Sequence, residues 1–168
     1  MEGQPEVLVD TDAITANAAA LTRHVGAAQL MAVVKSDGYG HGMLPTARAA
    51  LAGGATWLGV VHIADALAVR AAGLTVPVLC LLGDPELPCA EAITAGVDLT
   101  ASTTAGVAQV AAGARQAGRP ARLHLEADTG MHRCGATPAD WPGLVAAALA
   151  AEASGLVQVT GKIGRAHV

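Results

Sequence analysis

The sequence predicts an α/β fold on a parallel sheet, and three observations predict it. Short apolar runs alternate with alanine-rich stretches along all 168 residues, which is the pattern of βαβ units. The runs carry β-branched pairs such as Val33 and Val34, suited to strands buried in a parallel sheet. The Gly-x-Gly-x-x-Gly fingerprint of a doubly wound dinucleotide-binding sheet is missing, because Gly38-Tyr39-Gly40-His41-Gly42 does not fit it.

Composition bounds the rest. Hydrophobic residues make up 52% of the chain and charged residues 14%, so most elements bury at least one face. With two Trp, one Tyr and no Phe, the core falls to Ala, Val and Leu. The length suffices for one domain with a real core. A formal net charge of −4 without a Lys/Arg cluster speaks against nucleic-acid binding. No basic segment followed by an apolar run opens the chain, and no stretch approaches the ~20 apolar residues of a membrane span. Cys80, Cys89 and Cys134 are odd in number and spaced neither as a metal site nor as a disulfide framework, which points to a reducing cytoplasm.

Taken in order, residues 6–10 read as a short strand, and Asp10 and Asp12 offer N-caps for a helix over 13–24. After Gly26 a strand over 29–34 delivers Lys35. A helix over 43–52 ends at Gly53-Gly54, ordinary C-cap chemistry. The strand 57–61 leads into a helix over 63–72 closed by Gly73. The next strand, 76–82, has Pro77 near its start, where a missing donor is tolerated. A weak helix over 85–95 precedes a short strand at 97–101. Residues 103–118 form an alanine-rich helix whose interior glycines argue against continuity. A strand over 122–127, a helix over 141–153 and a strand beginning at 157 complete the series.

Two stretches carry chemistry. In residues 31–42, MAVVKSDGYGHG, an apolar strand ends in Lys35 and breaks into a glycine-rich turn. An amine at the C-terminal end of such a strand sits where α/β sheets and barrels place their chemistry. Apolar walls lower a lysine's pKa and free its lone pair for attack on a carbonyl; the plainer alternative is an ammonium capping the strand in solvent. Residues 123–135, LHLEADTGMHRCG, again end a strand and enter a loop.

The first string resembles the pyridoxal-phosphate attachment motif of the alanine racemase family, in which the first barrel strand runs into a lysine followed by Tyr-Gly-His-Gly. Val33, Val34, Lys35, Asp37, Tyr39, Gly40, His41 and Gly42 match at fixed spacing, far more specific than a lone glycine-rich loop. Asp12, Ala13, Ile14 and Asn17 resemble the family's opening segment, and Asp65-Ala66 and Val69-Arg70 stand where members carry Glu-Ala and Leu-Arg. The second string resembles the family's His-Leu-Lys-x-Asp-Thr-Gly-Met-x-Arg-x-Gly segment. The resemblance extends to about residue 160 and implies a (β/α)8 TIM-type barrel. Since such a barrel takes about 250 residues, five to six N-terminal strands are expected here. Residues 1–160 then form a partial racemase barrel. Residues 161–168 are expected to be a non-native tail, because IGRAHV resembles the translation of a sequencing-library adapter up to its stop codon.

By the same resemblance, Lys35 holds pyridoxal 5′-phosphate covalently and serves as the base on one face of the substrate's Cα. Tyr39 reaches the cofactor phosphate, unless it is a surface tyrosine. Arg133 orients cofactor and substrate carboxylate, a task suited to a planar fork of donors. Met131 contacts substrate or packs, while Asp128 and His41 shape their loops. Glu126 stands where many members carry a lysine, sometimes carbamylated. Two positions before Asp128 on one strand face, it either supplies the negative charge that holds Arg133 or is a solvated strand-end carboxylate. The second base, a tyrosine from a C-terminal β-domain of the partner subunit in the family, has no counterpart, because Tyr39 is the only tyrosine here. The implied activity is interconversion of L- and D-alanine for cell-wall synthesis by a cytoplasmic homodimer, with this chain inactive alone. A racemase for another amino acid such as serine, a non-catalytic cofactor-binding protein and a ligand-free barrel fragment remain as alternatives.

Overall fold

The computed structural model describes residues 6–81 and 88–164. The chain divides into two compact units, Met1–Gly59 and Val60–Val168.

In the first unit, helix α1 (Thr11–Val25) starts at Asp10, whose side chain accepts from the Asp12 and Ala13 amides at 3.0 Å each. That cap satisfies two of the donors a helix start leaves orphaned. Strand β1 (Met31–Val33) leads through a single turn, α2 (Lys35–Tyr39), into α3 (Met43–Ala52). Strand β2 (Trp57–Val60) pairs with β1 in parallel, Met31 opposite Trp57 and Val33 opposite Gly59. Small residues let α1 and α3 approach closely. A Cβ on Gly53 would meet Thr15 O at 2.4 Å and Ala18 Cβ at 2.6 Å. Ala18, Ala50 and Ala55 bury against one another there, with Leu30, Ala32 and Leu51 packed beside them.

The second unit opens on the last residue of β2, where Val60 O accepts from Leu81 N at 2.8 Å. Its elements alternate as α4 (Ile63–Ala71), β3 (Val78–Cys80), α5 (Cys89–Thr94), β4 (Asp98–Ala101), α6 (Thr104–Ala117), β5 (Ala121–Glu126), α7 (Trp141–Ala153) and β6 (Val157–Ile163). Strands β3 to β6 pair with their sequence neighbours, always in parallel. The order never reverses, as it does at the switch point of a doubly wound sheet; this is how strands wind in a barrel. Helix α6 buries Val107, Val110, Ala111 and Ala114, an i, i+3, i+4, i+7 stripe, and Leu99, Leu123 and Leu125 supply buried side chains from β4 and β5.

Several features depart from expectation. Residues 6–10 form no strand, and Val7 and Leu8 stand 86% and 88% exposed. Helix α6 runs unbroken through its glycines, because Gly113 is where α5 comes closest: a Cβ there would lie 2.5 Å from Cys89 Cβ. Arg70 is a structural joint, donating to the carbonyls of Leu74, Val76, Ala95 and Gly96. Burial lowers its pKa while Asp98 works in the opposite direction. Strand β5 pairs with β6 across a bulge, Leu123 opposite Val159 and His124 opposite Gly161. The skipped Thr160 donates its hydroxyl to Leu123 O, and a Cβ on Gly161 would sit 2.6 Å from His124 Nδ1. Residue 82 of the expected third strand, residues 85–87 of the expected weak helix, and residues 165–168 of the expected tail lie outside the described residues. Residues 161–163 continue β6. Among the described residues no helix is long and apolar enough to cross a membrane.

Candidate active site

The chain leaves β1 through Val34, whose amide extends the ladder to Gly59 O at 2.9 Å. Lys35 follows, and the backbone then reverses hand. Ser36, Asp37, Gly38 and Tyr39 take φ of 56°, 52°, 59° and 57°, four successive residues in a region that disfavours L side chains. Hydrogen bonds hold the turn: Gly38 N to Val34 O at 3.1 Å, Gly40 N to Asp37 O at 3.1 Å and Gly42 N to Asp37 O at 2.9 Å. The Asp37 carboxylate also accepts from Met43 N at 2.7 Å and so caps α3 from six residues upstream. What sets Gly38 apart from its neighbours at the same φ is space, because a Cβ would stand 2.8 Å from Thr46 Oγ1. His41 Nδ1 lies 2.8 Å from Gly38 O; since a carbonyl only accepts, that nitrogen carries the proton.

The turn folds Tyr39 back over Lys35. Lys35 Nζ donates to Tyr39 OH at 3.3 Å and lies 5.1 Å from the ring centroid. Lys35 is half-buried and Tyr39 is 73% exposed. A primary amine and a phenol thus lie together past the C-terminal end of a strand. That donor set fits an aldehyde cofactor carrying a phosphate: the amine for the aldehyde, the hydroxyl for a phosphate oxygen.

The second loop belongs to the second unit. Ala127 and Ala136 form a parallel bridge just past β5, and Asp128 lies two residues beyond the strand's end. Its carboxylate accepts from the Gly130 and His132 amides at 2.9 and 3.0 Å and bonds His132 Nδ1 at 2.8 Å. These bonds hold its carboxyl below the usual carboxylate value. Glu126 Oε1 accepts from Cys134 Sγ at 3.0 Å, which pushes the thiol's pKa up, with burial adding to the shift. The two expectations for Glu126 are a charge that holds Arg133 and a solvated strand-end carboxylate. Glu126 and Arg133 line one cleft with Asp128, Met131 and Cys134, a space of ≈ 20 Å³, about one water's worth. Arg133 and Met131 are exposed.

Sequence reasoning missed a third cluster. Asp98, 2% exposed at the start of β4, accepts from Arg122 Nε at 2.8 Å and bonds His124 Nε2 at 2.9 Å. Burial alone would raise its pKa, but the hydrogen bonds from His124 and Arg122 and their charges outweigh burial and hold it below the ordinary value. Arg122, His124 and Glu126 alternate along β5 on one face. The signal was present in the sequence, where RLHLE sets a polar residue at every second position of a strand. Among the described residues no group of three or more His, Cys, Asp or Glu side chains is arranged to hold a metal.

Comparison with known proteins places the chain in a family. The family described as alanine racemase, N-terminal domain, matches residues 9–164. The alanine racemase of Frankia casuarinae is 55% identical over 154 residues, covering 92% of this chain and 40% of the relative. That of Thermobifida fusca is 53% identical over 161 residues, covering 96% and 43%. In structure, the alanine racemase from D-cycloserine producing Streptomyces lavendulae superposes with a TM-score of 0.90 at 49% identity, over 93% of this chain and 41% of that one. The enzyme from Corynebacterium glutamicum gives 0.83 at 33% identity, over 93% and 44%. The chain therefore spans about two fifths of the length of the relatives it matches.

Proposed function

This chain belongs to the alanine racemase N-terminal domain family, and from that premise we propose that it is the N-terminal part of a pyridoxal-phosphate-dependent alanine racemase. The observation that carries the reading is Lys35: a half-buried amine leaving a parallel strand into a turn whose residues 36–40 stand at positive φ, hydrogen-bonded to the tyrosine four residues on.

Racemisation needs a proton taken from Cα and returned to the opposite face. Pyridoxal phosphate, when bound, supplies the electron sink that makes the Cα proton acidic. Lys35 Nζ holds the cofactor and moves the proton on one face of Cα. Tyr39 OH binds the phosphate, and His41 and Asp37 keep the turn closed behind both. Arg133 orients the substrate carboxylate with its forked donors, and Met131 lies against the substrate. Glu126 and Asp128 hold the loop from which Arg133 projects. By the family resemblance, the base for the other face is a tyrosine from a C-terminal β-domain of the partner subunit in a homodimer; Tyr39, on the lysine's own loop, serves the phosphate instead. The product, D-alanine, serves cell-wall synthesis in the cytoplasm.

The test is chemical. With pyridoxal phosphate added, borohydride reduction and digestion should leave the pyridoxyl group on the peptide containing Lys35. Labelling of Lys162, the only other lysine, refutes the assignment.

A further inference from the structure

Residues 127–136 form a loop closed at its base. Asp128 N donates to Ala136 O at 2.9 Å, and Ala136 N donates to Glu126 O at 2.8 Å. Gly135, at φ 100°, lets the two arms touch: a Cβ there would lie 2.4 Å from Asp128 N. At the far end, His132 holds a φ of 54°, a conformation unfavourable for an L-residue. It is caught there twice by one carboxylate, its amide on Asp128 Oδ1 and its ring Nδ1 on Oδ2. On the other side of Arg133, the Cys134 thiol is fastened to Glu126 Oε1. Both sequence neighbours of Arg133 are therefore anchored to acidic side chains, and Arg133 lines one cleft with Glu126, Asp128 and Cys134, where it also interacts with the Cys134 side chain.

We infer that His132 and Cys134 are positioning residues for Arg133, a clamp on either side that fixes its Cα and the direction in which the guanidinium leaves the loop. The inference rests on the proposed role of Arg133 toward the substrate carboxylate. Both anchors suit the task. Asp128, held below the usual carboxylate value by its amide donors, is ionised at neutral pH. Cys134, pushed up by Glu126, remains a protonated thiol that can donate. Fixing the backbone before the ligand arrives removes an ordering cost that binding would otherwise carry. An exposed arginine on a loose loop would carry that cost in full.

The experiment uses the ¹⁵N-labelled chain extended with a homologous C-terminal half, and its His132→Gly, Cys134→Ala and Cys134→Ser variants. Glycine is chosen at 132 because it accepts a positive φ, so the change tests the ring's bond rather than backbone strain. Arg133 order is read from amide exchange and from relaxation at Nε, and carboxylate binding from the Nε shift on titration with propionate, which has alanine's carbon skeleton. Unchanged amide shifts in β5 and β6 certify that each variant keeps its fold. His132→Gly and Cys134→Ala should each speed Arg133 amide exchange and weaken propionate by about fivefold, as loss of one hydrogen bond implies. Cys134→Ser, which keeps a donor, should move both back toward the parent. Arg133 order unchanged in both truncations overturns the clamp, as does serine behaving like alanine. If propionate leaves Nε unmoved in the parent, the carboxylate-binding reading of Arg133 fails, while exchange and relaxation still decide the clamp.

Discussion

Replacing Asp98 by Asn should destabilise the second unit by an amount the geometry allows to be worked out. The carboxylate is 2% exposed and holds Arg122 and His124 at 2.8 and 2.9 Å. The His124 side chain is 12% exposed, so its bond counts as a charge-assisted hydrogen bond of about 1.5–3 kcal/mol. The Arg122 side chain is 47% exposed, and water recovers most of what it loses, leaving ~0.5–1 kcal/mol. The expected loss is about 2–4 kcal/mol, which at a urea m-value of about 2 kcal/mol/M lowers the midpoint by ~1–2 M. The sign with pH follows from the depressed folded-state pKa of Asp98. Its contribution is complete above the unfolded value of about 3.9 and disappears as pH falls through the folded one. Parent and variant should therefore differ by their full amount at neutral pH and draw together only as pH falls from about 4 through the lower folded-state value. Urea titrations followed by Trp141 fluorescence, in a Trp57→Phe background so that α7 alone reports, measure this. Equal midpoints at neutral pH, or a gap that persists unchanged at low pH, would refute the reasoning.

Three further outcomes are expected. Gly113→Ala should destabilise, because the new methyl meets Cys89 Cβ at 2.5 Å and overpacking of ~1–3 kcal/mol exceeds the roughly 1 kcal/mol gained in helix propensity; Gly143→Ala in α7, with nothing within 4 Å, should instead raise the urea midpoint. Glu126→Gln should lower the Cys134 thiol pKa, since the carboxylate is its largest upward influence; iodoacetamide should then alkylate Cys134 faster at pH 8, with buried Cys80 and Cys89 as unreactive internal controls, and an unchanged rate would remove that hydrogen bond from the account. The 168-residue chain should not convert D-alanine to L-alanine, whereas a version extended with a homologous C-terminal half should; sustained turnover by the chain alone would show that the second base has been misplaced.

What was legible in the sequence was what neighbours in sequence decide. The Asp10 cap, the Gly53 and Gly73 helix ends and the alternation of elements are local signals, and α3 spans the very residues expected, Met43–Ala52. The hand of the turn after Lys35 was not legible, because Ser36, Asp37 and Tyr39 are not residues that announce a positive φ; it is imposed by Asp37, whose carbonyl and carboxylate gather the amides of Gly40, Gly42 and Met43. The Asp98 cluster joins residues 24 and 26 positions apart, a pairing that only strand register brings about. Gly113 looked like a helix breaker and is a contact point. In the second motif the sequence left Glu126 either holding Arg133 or solvated at the strand end, and the hydrogen bond it accepts from the Cys134 thiol was not legible, because nothing in the spacing of the motif announces it.

Three L-residues, Ser36, Asp37 and Tyr39, sit at positive φ in the segment that carries Lys35, at a cost of about 1–2 kcal/mol each. Set against a total folding free energy of roughly 5–15 kcal/mol for a domain, that makes the turn a natural first place for local opening. A molecule that binds only the closed form adds its own mass-action term to the stability of the segment. Occupancy and order at the Lys35 turn are thus linked: the concentration of whatever binds there sets how often the loop opens, and protease resistance within residues 35–42 becomes a titration of the site.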